Sequence, residues 1–166
     1  QAADLLAAVY RRTHTQDGYV SLEVSPELAH DAPGTLAEAR RLWQEVDRPN
    51  LMIKVPGTRT CLPVIRTLLA EGINVNITLL FAREAYSLVA EAYLAALEER
   101  LGKGMPVDRV ASVASFFISR IDTLVDKRID ARASAAAPTD RARLEALKGK
   151  IAVANAKQAY SLFTGL

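Results

Sequence analysis

"LMIKVPGT" (residues 51–58) decides how this chain is read. Five of its first six residues suit a strand inside a core, and Lys54 stands among them. Side chains along a strand alternate between two faces. Leu51, Ile53 and Val55 therefore share one face, and Met52, Lys54 and Pro56 share the other. The same alternation recurs in "YVSLEV", where Val20, Leu22 and Val24 oppose Ser21, Glu23 and Ser25. In "INVNITLL", Ile73, Val75, Ile77 and Leu79 oppose Asn74, Asn76 and Thr78, and in "VASVASFF" Ser115 and Phe117 share a face with Val113. These runs predict strands over residues 19–24, 51–55, 73–79 and 110–117.

Between them the period changes to that of a helix. Leu5, Leu6, Val9 and Tyr10 are spaced for one helical face, as are Leu36, Ala39, Leu42 and Val46. Thr35 is the predicted N-cap of that second helix. "CLPVIRTLLAEG" reads as a short helix closed by Gly72, and Tyr86, Val89, Ala90, Tyr93 and Leu97 mark one side of a long one. "IDTLVDKRIDARA" is helical, and Thr139-Asp140 opens a last helix that Gly149 interrupts. Regular βα alternation without hairpin signals means a parallel sheet covered by helices, either open and doubly wound or part of a closed barrel. No glycine-rich phosphate loop follows a strand, which weighs against the nucleotide-binding version.

Composition narrows the function classes. Half of the 166 residues are hydrophobic and 24% are charged, the balance of an ordinary globular domain. The net charge is +2 and the basic residues are scattered, so neither a nucleic-acid stripe nor a membrane patch is predicted. No apolar run reaches the roughly 18 residues of a membrane span, and no signal peptide follows Gln1. Cys61 is alone, which excludes a disulfide framework or zinc spacing, and His14 and His30 read as surface residues. A cytoplasmic protein is the expectation.

The polar strand face has two readings. One is a solvated sheet face, which βα crossovers rarely leave bare. The other is a barrel lumen, where catalytic groups gather at the ends of several strands. In a lumen, desolvation pushes an amine toward neutrality, by up to about 3–5 pKa units when burial is complete. A neutral Lys54 would form a Schiff base with a carbonyl substrate, and Glu23 on a neighbouring strand would move the protons. A structural Lys54–Glu23 ion pair fits the spacing equally well.

The runs "VSLEVSP", "LMIKVPGT", "GINVNITLLF" and "VASFFISRID", in this order and spacing, resemble transaldolase, from Gly18 to about Tyr160. The resemblance extends to the bacterial group that includes transaldolase domains fused to a sugar-phosphate isomerase. It implies a (β/α)₈ TIM barrel that transfers a dihydroxyacetone unit between sugar phosphates in the non-oxidative pentose phosphate pathway. The substrates would be sedoheptulose 7-phosphate with glyceraldehyde 3-phosphate, and fructose 6-phosphate with erythrose 4-phosphate, with no metal or organic cofactor. It further implies that Lys54 is the Schiff-base lysine, that Glu23 is the acid–base residue working through a water, and that Thr78 helps hold this water. Asn76 would contact the dihydroxyacetone part, Ser115 and Phe117 would line the substrate site, and Arg120 would bind the phosphate, for which its forked guanidinium is suited.

A barrel of this type needs about 250 residues and eight strands. The expectation is therefore one partial domain over residues 1–166, about four central βα units of a longer chain, without the family's first two and last two strands. The missing parts include the proton-handling Asp of the family's first strand and a second phosphate-binding arginine. Open sheet edges would otherwise pair with a second copy. Two other functions stay open: a related aldolase that cleaves fructose 6-phosphate without transfer, and an inactive assembly piece. One local departure is Arg59-Thr60-Cys61, where the family usually has Pro-Glu-Gly; a Gly there would permit unusual backbone angles, so the geometry of this loop is an open question.

Overall fold

The computed structural model describes residues 2–166; Gln1, which begins the first expected helix, lies outside the described residues. Helix α1 (Ala2–Arg12) leads into β1 (Val20–Glu23), followed by α2 (Ala32–Val46), β2 (Leu51–Pro56) and α3 (Leu62–Ala70). Then come β3 (Val75–Leu80), α4 (Arg83–Gly102), β4 (Ser112–Phe116), α5 (Ser119–Ser134), α6 (Pro138–Glu145) and α7 (Ile151–Phe163). The four strands form one parallel sheet in sequence order. Glu23 sits opposite Lys54, Lys54 opposite Asn76, and Pro56 opposite Thr78.

The chain divides into two compact units. The first holds the residues up to Leu79 together with Ser87–Ser115. Its core is Leu51, Ile53, Val55 and Val75 from the strands with Ile65, Leu68 and Leu69 from α3, all essentially inaccessible. Such side chains contribute about 1.5–3 kcal/mol each through burial. Two buried asparagines clamp the N-terminal ends of the strands. Asn50 Nδ2 donates to the carbonyls of Ala3 and Gly18, both at 2.9 Å. Asn74 Nδ2 donates to Pro49 and Leu51, both at 3.0 Å, and its Oδ1 accepts from the Ala111 amide at 2.9 Å.

Asn74 was expected on the polar face with Asn76. It precedes β3 and is consumed by backbone groups of its neighbours. Arg100 is likewise buried without a carboxylate: Nη1 donates to the Ala70 carbonyl (2.9 Å), and Nε and Nη2 donate to Pro106 (2.9 and 2.7 Å). Gly72, with φ +87°, ends α3 beneath it; a Cβ there would sit 3.0 Å from Arg100 Nη1. The left-handed backbone angle favours glycine here, and a Cβ would also crowd the arginine.

The second unit comprises Leu80–Tyr86 and Phe116–Leu166. Asp122, Asp126 and Asp130 lie one turn apart on α5. The first accepts from the Ala152 amide (3.1 Å), the second accepts from Gly149 (3.2 Å), and the third pairs with Lys148. Gly149, at φ +66°, breaks the chain between α6 and α7 as its identity predicts.

Four local expectations change. Asp31, not Thr35, caps α2: its Oδ1 accepts from the Gly34 amide at 3.0 Å. Pro33 is tolerated in the first turn, where an N–H has no partner to lose, so the helix starts earlier. Thr35 is buried and donates to the Leu28 carbonyl at 2.7 Å. On α1 the buried residues are Ala3 and Tyr10, while Leu5 is 82% exposed. Pro138, not Thr139, is the first residue of α6. In β3, Leu79 does not join Ile77 on the greasy face. It adopts φ +62° and is 37% exposed, and Leu80 is buried instead. A left-handed residue reverses the side-chain alternation at that point.

Candidate active site

Lys54 rises from β2 between Met52 and Pro56, both buried, so this face of β2 is not an open solvated surface. Its Nζ donates to Glu23 Oε2 at 3.2 Å, across the β1–β2 ladder that puts the two residues in register. The lysine side chain is 28% exposed and that of Glu23 51%. Lys54 is thus half-buried, and its environment combines an apolar floor with an ionic partner rather than complete desolvation. Pairs with this much solvent contact contribute about 0–1 kcal/mol to stability, which gives the fold little reason to require this one.

Beyond Lys54, Asn76 occupies the same row on β3. Ser115 Oγ donates to its Oδ1 at 2.7 Å, and its Nδ2 donates to Ser21 Oγ at 2.9 Å. Both ends of the amide are used, so its orientation is fixed. Thr78 lies two residues further along β3. Its Oγ1 is the buried side-chain polar atom that has no hydrogen-bond partner among the described residues. Buried hydroxyls are nearly always satisfied, by protein or by water. Glu23, Lys54, Asn76 and Ser115 are therefore brought into one row, with Thr78 one step along the sheet. Ser21, whose hydroxyl completes the fixing of Asn76, carried no sequence signal beyond its strand parity.

Phe117 and Arg120 belong to the second unit. The Phe117 ring stacks on Phe81 with centroids 5.0 Å apart and planes 20° from parallel. The Arg120 guanidinium carbon lies 4.8 Å from the Phe117 centroid, within cation–π range. Cys61 is buried with φ −91°, an ordinary right-handed angle, so the loop after Lys54 adopts its conformation without a glycine. Among the described residues no three His, Cys, Asp or Glu side chains converge on a metal site, and no helix is long and apolar enough to cross a membrane.

A parallel β/α sheet thus carries a lysine–carboxylate pair, a fixed amide and a buried hydroxyl on one face. The family model for transaldolase/fructose-6-phosphate aldolase matches residues 1–165, and the chain belongs to that family. The family fold is a TIM barrel, of which this chain covers part. The chain is 49% identical over 161 residues to transaldolase 2 of a Nostoc species and 52% identical over 167 residues to transaldolase 2 of Nostoc punctiforme. It is 52% identical over 162 residues to a transaldolase of Thermobifida fusca. These alignments cover 96%, 96% and 98% of the chain and 42% of each relative. The chain therefore spans less than half the length of the curated relatives it matches.

Proposed function

We propose that these residues are the central part of a transaldolase that works through a Schiff base on Lys54, in a single barrel domain completed by further strands. The observation that carries the reading is the Lys54–Glu23 contact of 3.2 Å on the polar face of the sheet. Glu23 is within reach of the proton that Lys54 must release before its nitrogen can attack. The amine adds to the C2 carbonyl of a ketose phosphate, and Glu23 supplies protons, through a water held at the Thr78 hydroxyl, as the carbinolamine loses water. The resulting iminium accepts the electron pair of the C3–C4 bond while the C4 hydroxyl gives its proton to the Asp expected on the family's first strand, outside this chain, and the aldose leaves as its aldehyde. The three-carbon enamine on Lys54 then attacks the aldehyde of the acceptor sugar phosphate.

Asn76, fixed by Ser115 and Ser21, is suited to orient the dihydroxyacetone hydroxyls. Arg120 takes the phosphate, and Phe117 lines the site. The substrates are the sugar phosphates of the non-oxidative pentose phosphate pathway, in the cytoplasm, and further strands or a second chain cover the open sheet edges. Borohydride added with fructose 6-phosphate to the full-length enzyme leaves a reduced three-carbon adduct on Lys54. Lys54→Ala and Lys54→Arg both abolish it, since a guanidinium stays charged. An adduct on Lys103, Lys127 or Lys148 instead rejects the assignment.

The family description spans aldol cleavage as well as transfer. A second reading is thus a fructose-6-phosphate aldolase. Turnover of fructose 6-phosphate without an acceptor aldose would select it.

A further inference from the structure

Phe81 ends the "NITLLF" run and has so far no role. Its ring stacks on Phe117, and Phe117 in turn carries the Arg120 guanidinium. Two hydrogen bonds hold this stack from behind. The Phe117 amide donates to the Leu80 carbonyl at 2.8 Å, which ties the two phenylalanines to neighbouring strand ends. Asn155 on α7 donates Nδ2–H to the Phe81 carbonyl, also at 2.8 Å. Arg120 itself is exposed. An exposed arginine gives up rotamer freedom when it grips an anion, and a guanidinium already laid on a ring has less to give up.

We infer that Phe81 is a positioning residue for phosphate recognition: through Phe117 it holds the Arg120 guanidinium in the plane from which it takes the phosphate of a sugar phosphate. The inference rests on the reading of Arg120 given above. Phe81 and Asn155 act through Phe117 and not on the substrate. They keep the ring of Phe117 from tilting, and with it the fork of Arg120.

The test is Phe81→Leu in the full-length enzyme, a change that keeps an apolar side chain and removes the ring. KM for fructose 6-phosphate rises about 3- to 10-fold, the effect of losing one aromatic pair, while kcat changes little. Competitive inhibition by inorganic phosphate weakens by the same factor. Borohydride trapping of dihydroxyacetone on Lys54, which involves no phosphate, keeps its concentration dependence. Phe81→Tyr keeps the ring and restores both phosphate readouts. Unchanged phosphate inhibition in Phe81→Leu, or equal weakening toward dihydroxyacetone and fructose 6-phosphate, overturns the inference.

If Phe81→Leu fails to fold, Asn155→Ala releases the Phe81 carbonyl with both rings in place and is judged by the same two outcomes. Arg120→Ala separates the inference from the reading beneath it. If this variant leaves phosphate inhibition intact, both fall. If it abolishes phosphate inhibition while Phe81→Leu and Asn155→Ala leave it at the wild-type value, the inference alone falls.

Discussion

Replacing Asn74 by Ala tests whether the buried amide at the start of β3 is a clamp or part of the reaction site. The change strands three backbone groups: the carbonyls of Pro49 and Leu51, and the amide of Ala111. The Leu51 contact is fully buried and the other two are part-buried. An orphaned buried group costs about 1–3 kcal/mol, and a part-buried one, which water can reach, roughly half of that. The sum is about 2–6 kcal/mol, a large fraction of the roughly 5–15 kcal/mol that holds a typical domain together. With a urea slope near 2 kcal/mol/M, the unfolding midpoint moves down by about 1–3 M. Asn74→Asp keeps the acceptor for Ala111 and loses both donors, so it falls between wild type and Asn74→Ala. The measurement is urea unfolding of the full-length enzyme followed by circular dichroism, with turnover assayed on the fraction that remains folded. KM and kcat stay near wild type. A midpoint shift below about 0.5 M, or lost turnover at unchanged stability, would refute the clamp.

Three further outcomes are expected. Glu23→Gln keeps the shape of the side chain but exchanges no proton, so turnover falls about 10²–10⁴-fold with a smaller change in KM; near-normal turnover would leave Glu23 as a structural partner of Lys54 only. Leu79→Gly, by removing a bulky residue from φ +62°, is neutral to stabilising by about 1 kcal/mol in thermal unfolding, while Leu79→Val, branched at Cβ, destabilises. Glu99 is held below its ordinary 4.5 first by the hydrogen bond from Lys103 and then by Arg66. A carboxyl whose folded value is depressed contributes stability above its unfolded value and loses it as pH falls through the folded one. Stability measured from pH 6 downward therefore declines below about 4.5, and Glu99→Gln removes this part of the decline.

The parity of β2 and β3 was legible because strand alternation is a local rule. Leu51, Ile53 and Val55 could only face one way, and Lys54 and Asn76 then had to face the other. The register that sets Glu23, Lys54 and Asn76 side by side is supplied by the structure, because face parity alone leaves the pairing open. What escaped the sequence depends on groups distant in the chain. Asn74 carries the same parity as Asn76, and only the approach of Ala111, 37 residues later, makes it a clamp. Arg100 gives no sign of burial in the sequence, because the carbonyls of Ala70 and Pro106 that close around it come from outside its own helix. The left-handed turn at Leu79 contradicts the preference of leucine itself, so no propensity could announce it. The lysine's carboxylate partner was foreseen as one of two alternatives, and the contact exists, but strand spacing alone could not say how much of the pair water would reach.

Cys61, the one thiol in the sequence, lies fully buried three residues beyond the LMIKVPGT run, with its sulfur 3.7 Å from the Ala29 carbonyl. The Thr58 hydroxyl reaches the same carbonyl at 3.3 Å, so this oxygen pins the segment after the lysine strand at two points. A thiol reagent meets this fully buried sulfur only when the surrounding segment opens. The rate of labelling is then a built-in clock for the opening of that segment, read without any introduced dye site. A ligand that draws the segment shut slows the clock, and one that loosens it makes the clock run fast.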